Sequence, residues 1–442
     1  MRLTSWNTTL QYLQNKTFDE IRIGDSAEIV RVLTQADSEL FGAALFTAVI
    51  GTELPGSGTV CLDQSLRFHK PLIAGDALTV RVSVRTKDAA TKQVTLDCTC
   101  CDAQGTTVIA GETTVLAPTI KVRRPRALVL IPELHERGAR YRRLIEATAG
   151  LEPIRTAVVH PCDAVSIAAA MDAQAKGLIS PILVGPETRI RNAAAQAGCD
   201  LGDVEIVNTP HSHAAAAQAV ALARSGQVQA LMKGALHTDE LMGAIIPADA
   251  GLRTERRMSH VFAFDVPYYP KPLFITDAAI NIYPDLTAKR DIVQNAIELA
   301  HALNIATPKV AILSAVETVT PKITSTVEAA ALCKMADRGQ IAGGILDGPL
   351  AFDNAISRDA AAAKHIVSPV AGDADILVVP DIESGNMLAK QLVYLAGADS
   401  AGIVLGARVP IMLNSRSDPE LSRLASCALA LLFVHRHQQG PT

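Results

Sequence analysis

Apolar and polar positions follow two different rhythms along this chain. In roughly the first 120 residues, one helical stretch, Ser38 to Ile50, places Leu40, Ala44, Leu45, Ala48 and Val49 at core-facing spacing. Alternating segments follow at Thr59 to Phe68, Ala77 to Thr86, Gln93 to Asp102 and Thr106 to Leu116. Pro71, Gly75-Asp76, Asp88 and Gly105 supply the turns between them. One helix and several antiparallel strands predict an α+β layer. The run Lys121 to Arg126, basic and holding a proline, reads as an exposed linker, and Pro132 to Gly150 as a polar connecting helix.

From Arg155 the rhythm changes. Short apolar strands at Thr156 to Val159, Ile182 to Val184, Ala230 to Met232, Lys309 to Ser314, Ile376 to Val379 and Gly402 to Leu405 alternate with helical stretches. Those stretches are Ala164 to Lys176, Ala214 to Arg224, Lys289 to Leu303, Thr324 to Arg338 and Pro419 to Leu432. Such alternation predicts a mostly parallel sheet covered on both faces, with ligands beyond the carboxyl ends of its strands.

Composition narrows the function classes. At 442 residues the chain is long enough for about three compact units. A net charge of -4, no basic tract beyond the short linker and 4% aromatics argue against nucleic acid as a partner. The longest apolar run, Ala425 to Val434, is too short to span a bilayer, and Met1 to Lys16 is too polar for a signal peptide. Eight cysteines make no disulfide framework. Cys98 and Cys100 share one strand face and Cys101 the other, as core thiols rather than metal ligands. A cytoplasmic location is expected.

Chemistry concentrates in a few segments. In Gly406 to Glu420, Ser417 and Glu420 fit a capping box and Pro419 a first helical turn. Arg416 stands just before that helix, suited either to hold a phosphate bidentately or to pair with a carboxylate. In Ser314 to Thr326 six hydroxyl residues accompany Lys322; capping explains one or two of them, so Thr318, Lys322, Thr324, Ser325 and Thr326 are candidate phosphate contacts. The glycine-bearing stretches Gly343 to Gly348, with Asp347, and Glu383 to Asn386, with Ser384 and Asn386, read as loops after strands, open to a ligand or simply turns. Neither a dinucleotide fingerprint nor a P-loop occurs. His211-Ser-His213 reads as a helix start capped by Ser212, with solvated histidines rather than metal ligands. His237 lies just past a strand end, where Lys233 either meets an acyl phosphate or is a surface lysine.

Taken together, KGALHTDEL, GLRTERRMSHVF, TDAAINIYPDL, KVAILSAVETV, GGILDGPLAFDNAIS, AGDADILVVPDIESGNMLAKQ and LNSRSD resemble the phosphate acetyl/butyryltransferase family, and look closer to its butyryltransferase branch. The resemblance covers about Arg155 to Leu432. It implies a two-lobed α/β domain of the isocitrate/isopropylmalate dehydrogenase kind over residues 155–442, with mostly parallel sheets. Lobe I would comprise about 155–255 plus 402–442, and lobe II about 256–401, with the site between them. It also implies acyl-CoA and inorganic phosphate as substrates, no bound cofactor or metal, and a homodimer or larger homo-oligomer. Ser415 and Arg416 match the family's serine–arginine pair, the arginine binding phosphate or the acyl carbonyl oxygen. The aspartate that acetyltransferases carry six residues later is Ser422 here, leaving Asp418 or Glu420 as base. The family's arginine shortly after the strand-end histidine is missing from HTDELMGA, which turns attention to Lys233 for phosphate.

Residues 1–120 resemble MaoC-like hot-dog dehydratases, through TFDEIRIGD and ELPGSGTVCLDQSLRFHKPLIAGDALTVRVSV. The Asp/His stretch of active members is missing between Phe41 and Gly42, and His69 is the only histidine there. Hydration of an enoyl group needs a positioned acid–base pair, so this unit is expected to serve dimerisation or acyl-chain binding. The resulting expectation is an α+β hot-dog domain (1–120), a linker with its helix (121–154) and a phosphate acyltransferase. A bifunctional hydratase/acyltransferase and a non-catalytic acyl-CoA-binding protein are the alternatives. A decarboxylating dehydrogenase is disfavoured because its metal-binding aspartate cluster is not visible.

Overall fold

The computed structural model describes residues 12–33, 43–73, 75–125, 138–247, 249–413 and 418–438. Their contacts divide the chain into two compact units, Met1–Glu136 and Arg137–Thr442.

The first unit holds strands β1 (Tyr12–Gln14), β2 (Ser26–Val32), β3 (Val60–Phe68), β4 (Ala77–Asp88), β5 (Gln93–Cys101), β6 (Thr107–Leu116) and β7 (Arg123–Pro125). Five of them form an antiparallel sheet in the order β2-β4-β5-β6-β3. Period-two alternation in β5 sends Val94, Leu96, Cys98 and Cys100 inward, each with no exposed surface. The helix Ala43–Thr52 buries Leu45, Phe46 and Val49 in the same core. Its predicted beginning at Ser38 lies outside the described residues. The expected linker is different in part: β7 pairs antiparallel with β1, and the buried Asn15 side chain donates to Ile120 O and accepts from Val122 N. Those satisfied backbone groups make 120–125 part of this unit.

The second unit is built on β8 (Ile154–Val159), β9 (Ile179–Gly185), β10 (Glu205–Asn208), β11 (Ala230–Lys233), β12 (Ser259–Asp265), β13 (Leu273–Thr276), β14 (Lys309–Leu313), β15 (Ile345–Leu350), β16 (Ile376–Val378), β17 (Asp399–Leu405) and β18 (Ile411–Met412). All eleven join one sheet in the order β10-β9-β8-β11-β18-β17-β12-β13-β16-β14-β15. The expected mostly parallel sheets of the two lobes are one mixed sheet, in which parallel pairings predominate. Seven of its pairings are parallel, and three in the middle, β18-β17, β17-β12 and β12-β13, are antiparallel.

Both faces are covered. Val158 belongs to the core on one side of the sheet, and Ala157 and Val159 to that on the other. The helix Glu420–Gln438 is buried through Ala425, Cys427, Ala428, Leu429, Ala430 and Leu431. Each such leucine contributes roughly 1.5–3 kcal/mol over leaving it in water. Helix starts follow from local chemistry: Asp163, Asp285 and Asp381 accept from the backbone N–H three residues on. The helix Ala139–Glu146, read from sequence as a connector, is docked on this unit. Buried Tyr141 donates to Ala263 O, and Arg140 pairs with Asp265 at 2.8 Å. No helix among the described residues is long and apolar enough to cross a membrane.

Candidate active site

Strand direction decides what can meet. β10, β9, β8, β11 and β18 run one way, and the three antiparallel pairings turn β13, β16, β14 and β15 the other way. The carboxyl ends of the two groups therefore lie at opposite rims of the sheet. At the first rim, Met232 stands beside Met412 on adjacent parallel strands, so Lys233 and the segment after Met412 leave together. Ser415, Arg416 and the expected cap Ser417 lie in that segment but outside the described residues.

The Lys233–His237 loop is held tightly. Gly234 N donates to Val159 O and Ala235 N to His160 O, both at 2.9 Å. A Cβ on Gly234 would lie 2.5 Å from Val159 O and 2.9 Å from His160 O, so only glycine fits this approach. Lys233 Nζ donates to Leu236 O at 3.3 Å. His160 is buried at φ +54, and burial, with Arg189 nearby, lowers its pKa.

Exposed His237 opens the helix Thr238–Ile245, and its backbone N–H donates to Glu240 Oε2 at 3.2 Å. Glu240 Oε1 accepts from Ser212 Oγ at 3.1 Å and lies 3.2 Å from His213 Nδ1. The His237 N–H first, then Ser212 and the neighbouring histidines, hold the Glu240 carboxyl below its usual range. Ser212 is not the cap expected from sequence: His211 Nδ1 accepts from Ala214 N, and the serine sits one residue inside the helix Ser212–Arg224.

Asp418, half-buried, accepts through its backbone carbonyl from Arg423 Nη1 at 2.5 Å. It lies close enough to Tyr141 to add to the effect of burial, which pushes that phenol well up. Ser422, in the first turn of the last helix, is 3% exposed. Glu420, the other candidate base, is exposed in the first turn of that helix.

The second group of candidates lies elsewhere. Ser314 directly follows β14, at the rim opposite Lys233, and its Oγ is 2.8 Å from Ser325 Oγ. Thr318, Lys322 and Thr324 are exposed on the segment that follows. Thr326 is not open to a ligand: it is fully buried, its Oγ accepting from Thr320 N at 2.9 Å and donating to Ile323 O or Thr320 O. Of the Gly343–Gly348 stretch read as a loop, Ile345 to Gly348 belong to β15, with Asp347 Oδ1 accepting from Gly348 N at 2.8 Å. Ser384 and Asn386, also read as loop, lie inside the helix Ile382–Tyr394. Ser384 Oγ is bound to the capping Asp381, and Asn386 Nδ2 to Ala278 O at 3.3 Å. Because the middle strands invert half the sheet, β18 and β14, which the 318–326 segment follows, end at opposite rims.

Sequence reasoning missed Glu240 and Asp277. The H-x-x-E spacing from His237 was the available signal for Glu240. Asp277, 3% exposed just after β13, accepts from Ala279 N, Ile280 N and Asn281 N and from Asn281 Nδ2. Asn281 Oδ1 in turn accepts from Arg257 Nε at 2.7 Å. This network fixes the turn after β13 and aims Arg257. A groove of about 1060 Å³ at the rim with the β17–β18 turn includes Arg256, Arg290 and Arg408, but Glu298 and Asp291 already pair with the first two. Among the described residues no cluster of three or more His, Cys, Asp or Glu is set to hold a metal.

Comparison with known proteins gives the lineage. The profile described as "Phosphate acetyl/butaryl transferase" matches residues 211–430. A phosphate acetyltransferase of Rhizobium meliloti is 63% identical over 300 residues, 68% of this chain and 95% of that protein. A phosphate butyryltransferase of Clostridium acetobutylicum is 41% identical over 294 residues, 66% of this chain and 98% of that protein. The sequence motifs pointed to the butyryltransferase branch, yet the acetyltransferase is the more similar of these two. The crystal structure of a branched-chain phosphotransacylase from Enterococcus faecalis V583 superposes with a TM-score of 0.57 at 31% identity, covering 64% of this chain and 99% of that one. With a lattice of motifs, a mixed α/β sheet and relatives of this closeness, the chain belongs to the phosphate acetyl/butyryltransferase family and is a transferase.

Proposed function

We propose that this enzyme moves a short acyl group, acetyl, propionyl or butyryl, between coenzyme A and inorganic phosphate in the cytoplasm. The thiol loses its proton, its sulfur attacks the carbonyl carbon of the acyl phosphate, and phosphate departs as the C–O bond breaks. That chemistry needs a base, a donor to the carbonyl oxygen and positive charge on the phosphate. The supporting observation is that β11, which ends at Lys233, and β18, which ends at Met412 three residues before Ser415 in the sequence, are neighbouring parallel strands. Arg416 is assigned to the phosphate or carbonyl oxygen, Ser415 beside it as a donor, Asp418 as the base and His237 as a neighbouring contact. Thr318, Lys322, Thr324, Ser325, Asp347, Ser384 and Asn386 are left out of this site.

The test is thiol release on incubating the full chain with acetyl-, propionyl- or butyryl-CoA and phosphate. Release that depends on phosphate supports the assignment and ranks the acyl groups. No release with any of the three leaves a non-catalytic acyl-CoA-binding protein as the better account.

Residues 1–120 are proposed as a shortened MaoC-like hot-dog domain without hydratase activity, on the strength of one helix on a five-stranded antiparallel sheet. Residues 155–442 are proposed as the acyltransferase domain, its two lobes being the oppositely directed halves of the sheet, and the assembly as a homodimer or larger. Hydration of crotonyl-CoA by the full chain would restore the bifunctional alternative.

A further inference from the structure

Resting on the assignment of Lys233 to the acyl phosphate, we infer that Glu240 is a positioning residue that latches the Lys233–His237 loop to the start of the helix Ser212–Arg224. Lys233 itself is a flexible side chain on a five-residue stretch, and an ammonium that wanders clamps phosphate poorly. Two tethers fix this loop. The first is the pair of backbone bonds from Gly234 and Ala235 to the end of β8. The second is Glu240. One of its oxygens takes the His237 N–H at the far end of the loop, and the other takes Ser212 Oγ and faces His213. One carboxylate thus joins the starts of two helices that flank the rim.

The charged and titratable groups facing Glu240 are His213 and His237, with His160 a further neighbour from the end of β8. The carboxylate also sits where a free anion would otherwise bind the two helix starts, so incoming phosphate is directed to Lys233 rather than to those N–H groups. Glu240 touches no reacting atom in this scheme. Its effect runs through Lys233.

That dependence is what an experiment reads. Steady-state kinetics would be compared for the wild type, Lys233→Ala, Glu240→Ala, Glu240→Gln and the double variant Lys233→Ala/Glu240→Ala, with melting curves for each. The expected result is a KM for phosphate raised about tenfold in Glu240→Ala with kcat within about threefold, the signature of lost ground-state binding. Glu240→Gln should recover most of it, because the amide oxygen still accepts from His237. In the Lys233→Ala background the Glu240 change should add less than about twofold, since groups acting through one another are not additive. Additive losses, or a normal Glu240→Ala enzyme beside an impaired Lys233→Ala one, would overturn the latch and leave the Lys233 assignment standing. A normal Lys233→Ala enzyme would overturn both. Should Glu240→Ala fail to fold, the same cycle is run with Glu240→Gln, where a smaller KM change that vanishes without Lys233 supports the latch and one that persists overturns it.

Discussion

Thr326→Val separates a structural hydroxyl from a ligand contact. The side chain is fully buried at the start of the helix Thr324–Asp337. Its oxygen is the acceptor for Thr320 N at 2.9 Å, and its hydrogen reaches Ile323 O at 2.7 Å or Thr320 O at 2.8 Å. Valine fills nearly the same volume, so no cavity opens, but both bonds are lost. Each such bond is worth about 1 kcal/mol net, and an N–H left without a partner costs about 1–3 kcal/mol more when fully buried. Thr320 is only half-buried, and water recovers part of that cost. The expected loss is about 2 kcal/mol, read as a lower urea midpoint by far-ultraviolet circular dichroism with an unchanged slope. KM for phosphate and for acyl-CoA should stay within about twofold of wild type. Unchanged stability together with a KM for phosphate raised tenfold or more would refute the reasoning, because the hydroxyl would then be meeting substrate.

Two further changes probe the first rim and the fold's electrostatics. Gly234→Ala forces a Cβ to within 2.5 Å of Val159 O, so the loop must shift; overpacking should cost about 1–3 kcal/mol, and a displacement near 1 Å at Lys233 about 100-fold in kcat/KM. A normal rate would separate that loop from the chemistry. Asp373 is disfavoured as an anion by burial, but hydrogen bonds from Lys309 and Lys271 outweigh this and bring its pKa down to about 2 from 3.8. A carboxyl depressed in the folded state adds stability above its unfolded pKa, and that gain fades as pH falls through the folded one. Asp373→Asn should therefore cost about 2 kcal/mol at pH 7, with the gap to wild type closing between about pH 4 and pH 2. A gap that does not narrow in acid would show that these ion pairs are not its source.

Much of the architecture was legible because periodicity reports burial. The alternation in β4, β5 and β6 and the strand–helix rhythm after Arg155 both place residues on faces, and the structure puts Val80, Leu96 and Val158 inside as they require. Direction was not legible. The stretch Ser259–Asp265 is buried along almost its whole length, and a run buried on both faces has no period that tells parallel from antiparallel. That strand and β17 invert half the sheet, which is why the hydroxyl-rich segment at 318–326 follows a strand that ends at the rim opposite Lys233. Glycines misled in the same way: Gly343, Gly344 and Gly348 suggested a loop, whereas Gly348 lies within a strand, where a Cβ would meet Ile312 O at 2.7 Å. Ser384 and Asn386 looked available because polar residues near a strand end resemble a loop, but Asp381 had already started a helix there.

The site's location is tested most directly by comparing phosphate-dependent thiol release in two sets of variants. Lys233→Ala removes charge from the rim where β11 ends, and Arg416→Ala removes the arginine assigned to phosphate; Lys322→Ala and Thr318→Val alter the segment after β14, at the opposite rim. The expected result is a fall of about 100-fold or more in kcat/KM for the first set and less than about twofold for the second. Near-normal rates in the first set with a collapse in the second would contradict it.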